Sequence, residues 1–455
     1  MLRLFTIAGV LAVALHLSGC ADRAPGLARA RKLPDPDREK RKQWSGISYA
    51  DQTVVEMTPR ASTRTVGFDS ERVMSGQDDW EPWVAVDPGA PYVYQFTTRY
   101  NPVAKIAFRR SSDGGATWDI DGFIPDTRRS QNDPQAAVAA DGTLFVVWLD
   151  RWDTTLIKSS DHGMTWTSPV RVFTPPPSGS DHGWLAISPD GQDVYVGFNW
   201  SDSFVVASHD GGATFGPEVQ TNDDNRYWFH TGAAVAPDGT VYIAVVDFSQ
   251  DYAGSADVGV LKSDDGGLSW STHYVDTVPE MPECGWAAGC YFGFFGSVTG
   301  LAVDAAGTIV LVYPSGQYDG GPQGIYARTS SDGVTWSNRT LISHRVPAST
   351  NAVPAVAAGP LAGDFRVAWQ GTRTGDTDAW NTWYRRTLDG GASWGPFRRL
   401  SDLGTGAPYK SADGYRFPYG DYMGIAVDGE GVAHVIWAEG ASYLGPGGTW
   451  YTRGQ

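Results

Sequence analysis

The sequence predicts an all-β protein, and three observations carry that prediction. The first is a repeat. Ser111 to Trp118 reads Ser-Ser-Asp-Gly-Gly-Ala-Thr-Trp. The pattern returns from Ser159 to Trp166, Ser208 to Phe215, Ser263 to Trp270, Ser330 to Trp336 (one residue short) and Thr387 to Trp394. Its aspartates, Asp113, Asp161, Asp210, Asp265, Asp332 and Asp389, lie roughly 50 to 65 residues apart, near the range in which a fixed period signals a propeller or a solenoid. The second observation is an apolar hairpin pattern before each copy. The third is composition: 55 glycines and 13% aromatic residues suit strands joined by glycine-rich turns. Together they predict a β-propeller of seven four-stranded blades, with six as the smaller count. It carries six aspartate turns and is closed by strands from both ends of the chain.

Each copy of the repeat reads as a rigid turn. The Asp carboxylate accepts bonds from N–H groups a few residues on, and Gly takes the positions that need φ > 0. The Ser or Thr hydroxyls close the same turn. The aromatic residue at its end packs between neighbouring sheets.

The hairpins follow in order. Trp83 to Asp87 leads into Tyr92 to Tyr94, Ala136 to Ala139 into Leu144 to Trp148, and Trp184 to Ile187 into Val194 to Val196. Ala233 to Ala236 leads into Val241 to Ala244, Leu301 to Val303 into Ile309 to Val312, Ala355 to Ala357 into Phe365 to Trp369, and Ile425 to Val427 into Val432 to Trp437. Small and β-branched runs of this kind suit strands buried on both faces. There are seven hairpins and six aspartate turns, so the last blade, which ends at Thr449 to Thr452, lacks its outer strand. Gln52 to Met57 or Arg64 to Phe68 can supply it and leave no exposed edge. The longest interval, Asp265 to Asp332, holds Cys284, Cys290 and Tyr291 to Phe295 and predicts an insertion over one face.

The repeated turn is the Asp-box pattern, and the chain resembles the sialidase-like (bacterial neuraminidase repeat) β-propellers. In that family the boxes sit at blade edges, away from the catalytic pocket, so the resemblance implies that the six aspartates are structural.

Residues 1–19 read as a signal peptide: Arg3, an apolar run from Leu4 to Leu17, then Leu17-Ser18-Gly19-Cys20. The resemblance to a lipoprotein cleavage box implies lipidation of Cys20 and anchoring to a bacterial membrane, at the outer membrane or cell surface. Residues 20–43 form a basic tether and residues 44–455 the propeller. The formal net charge is −16 overall. Residues 21–43 hold eight Lys and Arg against four Asp and Glu, so with Arg3 the propeller carries −21. A basic stalk beside an acidic body suits a chain leaving an anionic bilayer or a plain solvated linker. The acidic body argues against nucleic acid as a partner. Cys284 and Cys290 are expected to form a disulfide in an exported protein.

Candidate chemistry lies where loops lead into the innermost strands. Aligned on the Ala-Val core, Glu81, Asp133, His182, His230 and Asn351 fall at one position. Asp78, Asp79, Glu81, Asp133, His182, His230 and Tyr422 are the candidate catalytic residues. Trp80, Trp184, Arg226, Tyr227, Arg416 and Asp421 are the candidate substrate-binding residues. Neighbouring carboxylates raise each other's pKa and supply an acid and a base for a glycan, while aromatic faces stack on sugar rings. A polar residue there also serves as a cap for strand N–H groups. Tyr415-Arg416-Phe417-Pro418 resembles the Tyr/Phe-Arg-Ile-Pro motif of sialidases, but at the opposite end of the chain.

Three function classes follow. The first is an exo-acting, sialidase-like glycoside hydrolase at the cell surface. The alternatives are a non-catalytic lipoprotein binding carbohydrate or protein, and a polysaccharide lyase using His and Tyr. No cofactor is required, although a carboxylate-rich rim has room for Ca²⁺. The expected partners are a glycan and, through Cys20, a lipid bilayer, with the chain a monomer.

Overall fold

A computed structural model describes residues 66–455 except 76–78, 100–102, 126, 128, 174–180, 201, 223, 250–253, 281–297, 345–350, 373–379, 402–421 and 441–446. The two cysteines of the expected disulfide, Cys20 and the proposed tether therefore lie outside the described residues. Seven antiparallel four-stranded sheets follow one another around a ring. Their innermost strands are Asp79–Val86, Gln131–Val138, Asp181–Ile187, Tyr227–Val235, Gly300–Val303, Asn351–Ala358 and Gly424–Val427. Among the described residues there is no helix. The protein is a seven-bladed β-propeller.

Ring closure uses both ends of the chain. Arg72–Ser75 pairs with Gly447–Gly454 as the outer strand of the seventh sheet. This strand lies downstream of both segments expected from sequence. Phe68, from the second of them, adds an isolated bridge to Gly454. It is fully buried with its ring 4.9 Å from Tyr384 of blade six.

Each blade alternates direction, so the innermost and third strands begin on one face of the ring, here the mouth face. The aspartate turns join third and fourth strands and lie on the opposite, turn face. In the first copy Thr117 donates to Asp113 through its backbone N–H (2.7 Å) and its hydroxyl (2.6 Å), and Gly115 N–H donates to Ser111 Oγ. The same bonds recur around Asp161, Asp210, Asp265 and Asp389, and in shortened form around Asp332. Where the other copies have Gly, the second has His162, at φ +58°. The turn tryptophans pack on the preceding blade: Trp118 lies edge-on to Tyr451 and Trp166 edge-on to Phe108.

These hydrogen bonds hold Asp113, Asp161, Asp265, Asp332 and Asp389 down to about 2. A carboxyl whose folded pKa lies below its unfolded value stabilises the fold above the ordinary carboxyl range and loses that contribution as pH falls. The melting temperature should therefore drop between pH 4 and pH 2. A variant carrying Asn at all five positions should start lower at pH 7 and show a shallower drop, read by circular dichroism melts across pH.

Candidate functional site

Seven innermost strands share one axis, and their register fixes what meets there. Three residues before the last ladder pair of each strand stand Trp83, Gln135, Trp184, Gly232, Gly300, Ala355 and Gly424. Blades one to three thus put large side chains at this level, and blades four to seven glycine or alanine. The small residues are required by close approach. A Cβ on Gly424 would come within 2.7 Å of Val84 N, and one on Gly232 within 2.8 Å of Leu301 N. A cavity of about 120 Å³ lies on the axis, lined by Trp83, Gln135, Trp184, Thr231, Gly300 and Tyr422 among others.

Two residues nearer the mouth face stand Glu81, Asp133, His182, His230, Val298, Val353 and Tyr422. Chemistry-bearing side chains therefore come from five consecutive blades, seven through four, and valines from blades five and six. Asn351 does not belong to this set. It lies two residues earlier, where its amide donates to Gln323 O and accepts from the Trp369 indole. Glu81, Asp133, His182 and Val353 all have positive φ, between +39° and +55°. Each sits in a bulge where two residues oppose one on the next strand. Pro82, Pro134 and Pro354 follow three of them, and a strand tolerates proline at a bulge because no ladder N–H is needed there. Gly183 follows His182, where a Cβ would meet Thr154 Cγ2 at 3.1 Å. A non-glycine residue in this region costs about 1–3 kcal/mol, and such strain gathers at functional sites. Val353 shows that the bulge is also a device of the architecture.

The mouth is desolvated. Glu81, Asp133, His182, His230 and Tyr422 are each at most 3% exposed. His182 packs against Trp184 (5.0 Å between centroids) and Tyr422 (4.6 Å), and Trp83 lies edge-on to Trp184 at 5.6 Å. The orientation of His182 follows from its neighbour. Gln135 Oε1 accepts from Leu185 N–H, so its amide nitrogen faces His182 Nε2 at 3.2 Å. An amide nitrogen only donates, so Nε2 is the acceptor and the neutral ring carries its proton on Nδ1. That Nδ1 is buried and has no hydrogen-bond partner, and the same holds for Trp184 Nε1 and His230 Nδ1. His230 Nε2 pairs with Ser203 Oγ at 3.0 Å. An orphaned buried donor costs about 1–3 kcal/mol.

Burial pushes both imidazoles down to about 3, helped at His182 by the nearby His230. They are neutral at neutral pH. A base is most effective when its pKa lies near the working pH, so these rings suit hydrogen bonding better than proton abstraction.

Other sequence candidates are engaged elsewhere. Asp79 is buried and held by both arms of Arg99 (2.7 and 3.0 Å), by Thr97 and at 3.5 Å by Arg109. This carboxylate anchors the first blade. Arg226 donates to Asp247 Oδ1 at 2.7 Å and faces Asp257 at 3.5 Å. Burial raises the Asp247 carboxyl, and Tyr274 donates to it. Tyr227 accepts from Asn199 and stacks on Phe248. Asp78, Arg416, Asp421 and the side chain of Trp80 lie outside the described residues. Among the described residues no group of three or more His, Cys, Asp or Glu is placed to hold a metal ion. Sequence reading missed Trp83, whose indole donates to Ala136 O, and Gln135. The repeated residue-Pro step at 81–82, 133–134 and 353–354 was the signal that aligns them.

A histidine kept neutral by burial is neutral in the fold well below the pH at which it charges in the unfolded chain, so acid favours unfolding. Wild-type protein should lose stability from about pH 6.5 downward. His182→Phe should flatten the pH 7 to pH 4 part of that loss, read by melting temperature, and a variant as steep as wild type would contradict the assignment.

No family model matches the sequence, and no curated protein matches it. Among solved structures the chain is similar to a protein of unknown function from Dyadobacter fermentans (14% identity, TM-score 0.45, covering 86% of this chain and 98% of that one). It is similar to an ulvan lyase of a polysaccharide lyase family (13%, 0.48, 85% and 95%). It is also similar to the intramolecular trans-sialidase from Ruminococcus gnavus (13%, 0.40, 64% and 89%). The likenesses are distant.

Proposed function

We propose that the protein acts on a glycan at the mouth of the propeller channel, as a sialidase-like glycoside hydrolase. The observation that carries this reading is the set of orphaned donors at the mouth. The N–H groups of His182 Nδ1 and Trp184 Nε1 are buried without partners beside the faces of Trp83, Trp184 and Tyr422. Sugars offer the hydroxyl and carbonyl acceptors that these donors lack, on rings with apolar faces, and would reach them by displacing the side chains that cover them. Glu81 and Asp133 occupy the same position on neighbouring blades and are the carboxylates assigned to acid and base. Asp79 is excluded from that role by its two arginines.

A second reading is recognition without catalysis. It is favoured by the two histidines at about 3, which bind well and transfer protons poorly. The same observation weakens a lyase mechanism, which needs a competent base. We further propose export, anchoring through Cys20, a bacterial outer-membrane or surface location and a monomeric chain without nucleic-acid partners.

Soluble protein from residue 21 onward should release free sugar from sialylated glycans. Glu81→Gln and Asp133→Asn should each lower kcat by about 100-fold or more with KM nearly unchanged. His182→Phe should mainly raise KM. Binding without turnover would establish the recognition reading. An unsaturated uronate, seen by ultraviolet absorbance, would establish the lyase. Neither binding nor turnover across sialylated and uronate pools would overturn the glycan reading.

A further inference from the structure

The turn face carries a second, independent feature. The seven turns joining first and second strands hold nine carboxylates, and the six repeated motifs hold seven more; no lysine or arginine lies within these segments, and Arg72, Arg110, Lys158, Arg366 and Arg453 reach their carbonyls from neighbouring strands. Ten of the sixteen are exposed, including Asp210, Asp238, Asp264 and Asp265. Hydrogen bonds keep the turn aspartates ionised, so the sixteen carboxylates outnumber these cations and the face stays net negative at neutral pH. It is also apolar in places. Leu268 is 76% exposed and Met164 62%, both at the fourth residue after the motif's second serine or aspartate step. An open groove of about 500 Å³ runs between blades three and four, lined by Phe215, Pro217, Val219 and Leu268, with His209 and Asp210 at its side.

The first described residues of the chain lie on this same face. Gly67 and Phe68 pair with Gln455 and Gly454, Arg398 donates to Val66 O, and Arg72 donates to Ala116 O within the first repeated turn. Residue 66 thus stands on the turn face. The segment upstream is the most basic in the sequence: residues 23–42 hold all eight tether cations, with Lys32, Lys40 and Lys42 among them and Leu27 and Leu33 as apolar partners. From Lys42 to Val66 there are 24 residues, enough to span about 80 Å when extended.

We propose that residues 23–42 of this chain dock on the turn face, their Lys and Arg on its carboxylates and their leucines toward the groove between blades three and four. The location of the chain's entry to the fold, the opposite charges and the apolar groove are the grounds. The inference does not depend on the glycan reading. It has a geometric consequence: the segment lies on the face opposite the channel mouth.

Carbodiimide crosslinking with mass spectrometry on the chain from residue 21 tests it. Intramolecular links should join Lys32, Lys40 or Lys42 to Asp264, Asp238 or Asp210, and should fall at least about fivefold between roughly 20 mM and 500 mM salt as the charges are screened. A free peptide of residues 23–42 should compete with them. Replacing Lys40, Arg41 and Lys42 with Gln should weaken the links from Lys32 while leaving the melting temperature within about 1 °C, since none of these groups is among the described residues of the ring. Links confined to mouth-face carboxylates, links only between molecules, or no links at low salt would overturn the proposal. So would a peptide that binds phosphatidylglycerol vesicles but fails to compete.

Discussion

Everything in this structure depends on how seven sheets crowd around one axis. Each innermost strand is flanked by two others, so its backbone can approach its neighbours only where side chains are small. Gly232, Gly300 and Gly424 meet that demand on one side of the channel. On the other side Trp83, Gln135 and Trp184 fill the space so freed. The asymmetry turns a seven-fold repeat into a site with one chemically distinct half.

The bulges complete the arrangement. An extra residue at the start of an innermost strand reorients the side chain there and takes a left-handed conformation to do so. The architecture uses this device in blades one, two, three and six, and its strain is offset by the rigid ladders on either side. In three of those blades the reoriented residue is Glu81, Asp133 or His182; in the fourth it is Val353. Position is therefore set by the fold, while the chemistry is set by which residue occupies it. Burial then decides the character of that chemistry. It leaves the imidazoles neutral and their donors unanswered, whereas the exposed aspartates of the opposite face remain ionised.

Much of this was legible in the sequence. The repeated Asp-Gly turns and the seven hairpins specify blade number because each is a local pattern with a local cause. The shared position of Glu81, Asp133, His182 and His230 was legible for the same reason, since it could be counted back from the Ala-Val core. Counting failed at Asn351, which lies two residues before the shared position; Val353, the residue before Pro354, holds that position in blade six. The ring-closing strand was placed a few residues too early, since its pairing with Gly447–Gly454 joins residues almost 400 apart in sequence. Nor could sequence show that Asp79 and Arg226 are spent on ion pairs, or that Gln135 fixes the tautomer of His182. Those are consequences of packing between blades.

The most direct test of the account is the protonation state of His182. Nitrogen-15 spectra of imidazole side chains, assigned with a His182→Phe variant, report charge and tautomer together. A neutral ring protonated on Nδ1 and unchanged down to pH 5 is the result predicted for a buried donor waiting for an acceptor. A ring that charges near pH 6.5 would mean that the mouth is wet, and would contradict the desolvated recognition surface on which the functional reading stands.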